Sequence, residues 1–518
     1  MFTACAVSRK AVNPEPSKEA DFHYMLSVGA ELSENWEEAL NQLELAIKEN
    51  PGSAYLKTEL SQVYLKMKRP EDAVRAAEEA VGQSPDYEPA LSLLAYLYTL
   101  QKKNDKAVAV YEQLIKTNPD KTQNYLHLAY LYYVGGQFEK ASEILTRALA
   151  IEPYNAMARY TLGRIYIETR KYDRAIEELK KTIESDPALW DAYNLLGIAY
   201  ESVADVDHAI SSYQESIKLN TRNTEARKRL SLLYLKMERI DESVEQLKEI
   251  LMMEPGNLEV RGLLARIYFS EKKFEDAEKE LRIISSEQPE NANVLLMLGK
   301  IFGIQEKYEE AIGQFEQLEK LLPENAEVLI TFGQLYLQKK DYEHAEEKFK
   351  KVLAMEPGND DALFNIAVAY EKTGRFAEMF FYLKKTLEKN PNHVQALNYL
   401  GYMYAEKDIN LEEALTLVQK AVELEPESGY IRDSLGWVYY KMGRYNEALS
   451  EIKKATAMEA DDPVIFEHLG DTYLKLDDKD AAEEAWRKSL KFREKEEGLK
   501  ERVQDKLEKL KKGEPPSQ

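Results

Sequence analysis

Residues 429–462 read GYIRDSLGWVYYKMGRYNEALSEIKKATAMEADD, and this stretch sets the fold. Two amphipathic helices are expected, Gly429 to Met442 and Arg444 to Glu459. They break at Gly443, where a residue without Cβ can take the positive φ of a tight turn. Neither helix can bury its apolar stripe alone. The stretch therefore requires neighbours of the same kind stacked on both sides.

Those neighbours are present. The prolines that end the second helix recur at Pro51, Pro85, Pro119, Pro153 and Pro187, then, after Thr221, at Pro255, Pro289, Pro323, Pro357 and Pro391, a spacing of 34 residues. The next stands at Pro426, one residue late, and two further copies place Ala460 and Glu494 where proline stood. This gives fourteen repeats over 20–496. Numbered within the repeat, position 8 is always small, from Ser27 and Ser61 through Gly163 and Gly333 to Gly470. Position 11 is aromatic in thirteen repeats, with Ala30 the exception, and position 20 is alanine in all but Ser243 and Met379. Helices approach closely only where side chains are minimal, and large residues then fill the space alongside.

This pattern of small, aromatic, alanine and proline residues at a 34-residue period resembles the tetratricopeptide repeat, over about nine-tenths of the chain. The resemblance implies an all-α fold, a right-handed superhelical α-solenoid of about fourteen helix hairpins whose first helices line a concave inner face. In 497–512, Leu499, Val503, Leu507 and Leu510 form one apolar stripe, expected to be a capping helix over the open end. Residues 513–518 are expected to be disordered.

Residues 1–19 differ in character, with Pro14 and Pro16 breaking any helix before Ser17. They read as a tether. Phe2, Thr3, Ala4 and Cys5 resemble the end of a bacterial lipobox, in which small residues precede a cysteine that is lipidated. Only four residues precede Cys5, so the basic and apolar regions of a signal peptide are missing, and Phe2 stands where leucine is typical. Met1 is then an internal methionine of a longer signal peptide, or Cys5 is an unmodified residue of a disordered leader. The expectation is lipidation at Cys5.

Lys plus Arg is 70 and Asp plus Glu is 92, a net charge of −22, which argues against nucleic acid as a partner. Cys5 is the single cysteine, and the six histidines fall in different repeats with no pair at metal-ligand spacing. No phosphate loop, nucleophile elbow or Cys-His pair appears, and carboxylate runs such as Glu278, Lys279, Glu280 read as solvated helix faces. No catalysis, metal or cofactor is expected, and no small-molecule substrate.

Function is then expected on the concave face, which in this family is lined by positions 2, 5, 9, 12 and 13 of the first helices. Those positions hold Tyr96, Tyr130, Tyr133 and Tyr160 with Arg164 in repeats 3 to 5, and Tyr402, Tyr430, Trp437 and Tyr440 in repeats 12 and 13. Tyrosine, tryptophan and arginine carry hot-spot energy when a peptide is buried. The lysine and asparagine clamp by which some members hold a terminal carboxylate is absent from positions 5 and 9, which run Thr58 and Gln62, Ser92 and Tyr96, Leu126 and Tyr130.

The last three repeats, NYLGYMYAEKDINLEEAL, DSLGWVYYKMGRYNEAL and FEHLGDTYLKLDDKDAAEEAWRKSL, are similar to the C-terminal repeats of bacterial envelope lipoproteins that act as adaptors. The extra residue between Tyr404 and Ala414 matches that group. The resemblance implies a non-catalytic scaffold on the periplasmic side of the outer membrane that recruits envelope proteins. The alternative is a cytoplasmic assembly scaffold. A recruiting arm of a glycosyltransferase requires the chain to be a fragment.

Overall fold

The computed structural model describes residues 18–492, 494, 496 and 498–512. Cys5, most of the tether and the tail 513–518 lie outside them. Among the described residues there are 29 helices and no strand. Each repeat is a helix pair. In repeat 13 the helices run Gly429–Lys441 and Tyr445–Met458, which trims the expected ends to the cap residues Met442, Arg444 and Glu459. The first helix, Lys18–Leu32, starts two residues before the repeat frame, and the last, Leu499–Lys512, two residues inside the expected cap. The chain divides into two compact bodies, Met1–Val260 and Arg261–Gln518, and within each the hairpins stack as an α-solenoid.

Close helix approach explains position 8. A Cβ placed on Gly197 would lie 2.6 Å from the Tyr213 ring, and one on Gly333 would lie 2.5 Å from the Phe349 ring. Both rings come from the second helix of the same hairpin and are fully buried. The alanines of position 20, such as Ala209 and Ala345, are fully buried between the two helices.

The turn within each hairpin has a fixed form. Gly443 has φ 74°, as the sequence predicts, and the equivalent residue has positive φ even where it is Lys68, Ala204 or Glu306. Its neighbour closes the helix end: Arg444 N–H donates to Tyr439 O at 2.9 Å and Lys103 N–H to Tyr98 O at 2.9 Å. The extra residue of repeat 12 is absorbed here, with Asn410 as a second left-handed residue after Asp408. A staple that the sequence reading did not single out recurs at position 4. Arg159 and Arg432 bind the carbonyls of Pro153 and Pro426 and reach Glu178 at 2.6 Å and Glu451 at 3.0 Å. It ties the first helix both to the loop before it and to its own second helix.

The C-terminal end is closed as expected. Leu499 and Val503 are buried against Trp486 and Ala482, with Leu507 and Leu510 packed beside them. A polar network ties this helix down. Glu467 accepts from Arg502 Nη2 at 2.8 Å and from Lys506 Nζ at 2.7 Å, and Lys506 also reaches Asp471 at 2.6 Å. Asp471 in turn accepts from Trp486 Nε1 at 3.0 Å. His468 is buried beside them and donates from Nδ1 to Asp433 at 2.8 Å. Burial pushes the Glu467 carboxyl up, but the hydrogen bonds and charges of Arg502 and Lys506 outweigh it and hold the group below the usual range. Burial likewise pushes the His468 imidazole down, and Asp433, with Asp471 and Glu467 nearby, outweighs it and holds the group above its ordinary value.

Two outcomes are expected. Alanine at Gly333 meets the Phe349 ring and costs about 1–3 kcal/mol as an overpacked core. Alanine at Gly313, which meets nothing within 4 Å, gains about 0.5–1 kcal/mol in helix stability. Urea unfolding of the two variants should move in opposite directions. For His468, a base held charged in the fold stabilises fully below its ordinary pKa, about 6.5, and this contribution is lost as pH rises through the folded value. The stability difference between the chain and His468→Gln should therefore be largest in mild acid and shrink with rising pH. A difference that shrinks towards acid means that the buried imidazole is held neutral, and one that stays constant with pH means that burial and Asp433 cancel.

Candidate functional site

The candidate face consists of positions 2, 5, 9, 12 and 13 of the first helices, which fall on one side because 3.6 residues make a turn. In the N-terminal body, Tyr96 on helix Glu88–Leu100 and Tyr130 on helix Thr122–Val134 occupy position 9 of successive repeats. They are 49% and 55% exposed, large values for rings on well-packed helices. Tyr133 and Tyr160 are half-buried and frame Arg164. The Arg164 guanidinium lies 5.1 Å from the Tyr133 ring centre and 5.8 Å from that of Tyr160, and Nη2 donates to Tyr133 Oη at 3.2 Å. The Tyr160 hydroxyl donates to Asp191 of the next repeat, and burial together with that carboxylate pushes its pKa well above the ordinary phenol value.

The sequence reading also missed members of this strip. Tyr55 and Met157 at position 2, and Leu100 and Val134 at position 13, are exposed on the same register. The register carries the signal for all four, an aromatic ring at Tyr55 and aliphatic or thioether side chains at Leu100, Val134 and Met157. Together they make a mostly uncharged ladder from repeat 2 to repeat 5, with Arg164 at one end. Arg164 forms no ion pair with a carboxylate among the described residues, and its hydrogen bond to Tyr133 uses one of its five N–H donors.

The C-terminal body holds the second predicted cluster in a different state. Trp437 is 8% exposed, stacked between Tyr440 at 4.7 Å and His468 at 4.0 Å. Its Nε1 donates to Glu406 at 2.9 Å, and Lys441 Nζ sits 5.1 Å from its ring centre. Tyr440 and Tyr402 are half-buried, and both phenols are held well above the ordinary value by burial, with Asp471 acting on Tyr440 and Glu406, Asp433 and Glu467 on Tyr402. Tyr430, at position 2 of the same helix as Trp437, is 56% exposed. Trp437, Tyr440 and Tyr402 thus sit within the network that closes the C-terminal end. Among the described residues no helix is long and apolar enough to cross a membrane, and no three His, Cys, Asp or Glu side chains are placed to hold a metal ion.

Comparison with known families agrees with the reading of the chain as tetratricopeptide repeats. Two tetratricopeptide repeat models match residues 32–97, 241–301 and 338–397, and residues 296–355 and 434–495. The model of the tetratricopeptide repeat protein 21 C-terminal ARM domain matches residues 92–262. A TPR repeat-containing protein of Pseudomonas aeruginosa, PA4667, is 40% identical over 52 residues, which are 10% of this chain and 9% of that protein. Among solved structures, the hetero-tetramer Cut9–Hcn1 of the APC/C is similar over 86% of this chain and 95% of its own, at 17% identity and a TM-score of 0.39. A tetratricopeptide repeat protein from Parabacteroides merdae is similar over 48% of this chain and 98% of its own, at 20% identity and a TM-score of 0.42. With family models spanning residues 32–397 and 434–495, this chain belongs to the tetratricopeptide repeat family, whose arrays serve as scaffolds for protein–protein interaction.

Proposed function

We propose that this protein is a non-catalytic adaptor that holds protein partners along the concave face of its N-terminal repeats. The observation that carries this reading is the ladder of half-exposed Tyr96 and Tyr130 with Leu100, Val134 and Met157. Large apolar side chains left exposed on one register of successive first helices are ones that a partner's surface would cover. Aromatic rings on rigid helices bind with little loss of rotamer freedom, and an extended or helical peptide fits a row of them at repeat spacing. Arg164, held between Tyr133 and Tyr160, adds a pre-positioned donor at the end of that row. Tyr402, Trp437 and Tyr440 hold the C-terminal end in place on this reading.

The same proposal places the protein on the periplasmic side of the outer membrane of a bacterium, anchored through a lipidated Cys5, with envelope proteins as partners. Its support is the Thr3-Ala4-Cys5 motif, followed by a Pro-containing tether before the first helix. Several acyl chains on one cysteine suffice as a stable anchor.

Replacing Tyr96 and Tyr130 together by alanine should weaken capture of the native partner by about tenfold or more while thermal stability stays unchanged. An unchanged set of co-purifying proteins would show that this strip is not the binding face. For the anchor, the N-terminal peptide of the native protein should begin at an acylated Cys5, and Cys5→Ser should release the protein from membranes. An unmodified peptide beginning at Met1 removes the lipoprotein reading and makes the cytoplasm the place to seek partners.

A further inference from the structure

Position in the repeat dictates which face of a first helix is covered. In repeat 2, Leu56, Leu60 and Val63 at positions 3, 7 and 10 pack in one core with Leu43, Ala46 and Ile47 of the preceding second helix. In repeat 3, Leu94 and Leu97 do the same against Ala73, Val74 and Ala77. The helix Lys18–Leu32 carries Phe22 and Leu26 at positions 3 and 7, yet among the described residues no hairpin precedes it. Its buried side is Ala20, Ser27 and Ala30. Phe22, Met25 and Leu26 are 55%, 66% and 43% exposed, and Leu32 continues the stripe one turn and a half further on. This is the pattern of an internal repeat, not of a polar cap.

The other end of the array behaves differently. Helix Leu499–Lys512 buries Leu499 and Val503 and leaves Glu501, Gln504, Glu508, Lys511 and Lys512 exposed. Charge then selects what covers the N-terminal stripe. On this side of the helix Glu19 and Asp21 are the acids and Lys18, at the first turn of the stripe, the single base, while Glu31 lies opposite. At 100° per residue, Glu19 and Asp21 fall on the two flanks of the stripe. A second copy would set acid flank against acid flank, and like charges across a contact are costly. A helix with basic flanks gains where a second copy loses.

We infer that the exposed stripe of Phe22, Met25, Leu26 and Leu32 docks an amphipathic helix of a partner protein, one with an apolar stripe bordered by Lys or Arg. That helix takes the place a preceding second helix holds elsewhere in the array. The surface lies on the outer side of the first helix and does not depend on the tyrosine strip.

The test uses the full chain and two labelled synthetic helical peptides of about 18 residues, long enough to hold a helix. Both carry leucine at i, i+3, i+4 and i+7, one with lysine flanks and one with glutamate flanks. The lysine-flanked peptide should bind, protect the amides of residues 18–32 from exchange, and lose affinity about tenfold or more in Phe22→Ser/Leu26→Ser. Met25→Ser, at the most exposed of the three rings and chains, serves as a second variant with little risk to the fold. Glu19→Lys/Asp21→Lys should reverse the preference between the two peptides. Equal binding of both peptides overturns the proposal, as does binding indifferent to the serine variants. A concentration-dependent dimer abolished by those variants gives the face to a second copy instead. Protection of 18–32 in the free chain that disappears when residues 1–17 are removed gives it to the tether.

Discussion

The contact on which this array depends is the seating of a large second-helix side chain on a first helix that offers almost none. Tyr213, Phe349 and Trp486 lie over Gly197, Gly333 and Gly470, while the alanine of position 20 lets the backbones approach from the other side. Where position 8 is alanine, as in Ala367, the opposing residue is Leu383, smaller than those rings. Glycine is also met by smaller side chains, Leu179 on Gly163 and Val418 on Gly401, so the seat is filled by different volumes along the array. Every other regularity, from the aromatic at position 11 to the left-handed turn residue, holds the two helices at the separation that this seat sets.

Because each hairpin touches mainly its neighbours, stability in such an array is close to a sum of local terms, and the ends are where the sum is incomplete. The C-terminal end meets this with one added helix and a set of compensated charges. Glu467 is buried and Asp471 half-buried, and Arg502, Lys506 and the Trp486 ring nitrogen satisfy them. Leaving any one of those carboxylates without its partner would cost more than the network gains, since an uncompensated buried charge is strongly unfavourable. The N-terminal helix has no comparable arrangement. It keeps its small residues inward and its large apolar ones outward.

What the sequence made legible was whatever repeats. Spacing of proline, the small residue at position 8 and Gly443 fixed the hairpins to within a residue or two, and the late Pro426 announced the extra residue that became Asn410. Turn residues such as Lys68 and Ala204 adopt the same positive φ without a glycine to signal it, because the hairpin around them over-determines the backbone. Less legible was whatever depends on a partner in the next repeat. The Arg159 and Arg432 staples recur in only some repeats, so they leave no period to detect.

Tyr130 and Trp437 show why register places side chains on one face of a helix but does not sort exposed rings from covered ones. Both stand at position 9, and a reading by register treats them alike. Thirty-one residues on from Trp437 is His468, which stacks on the indole and is itself held by Asp433. Thirty-one residues on from Tyr130 is Thr161, whose hydroxyl bonds back to the Met157 carbonyl and offers no ring to stack. The corresponding residue for Tyr96 is again a histidine, His127, but that ring is stacked on Tyr111 and bonded to Gln123, and Tyr96 stays half-exposed. Identity at the facing position is therefore not enough. A ring is covered when its neighbour carries a ring that is free to meet it; beside Tyr96 that ring is already engaged and beside Tyr130 there is none, so both tyrosines stay half-exposed.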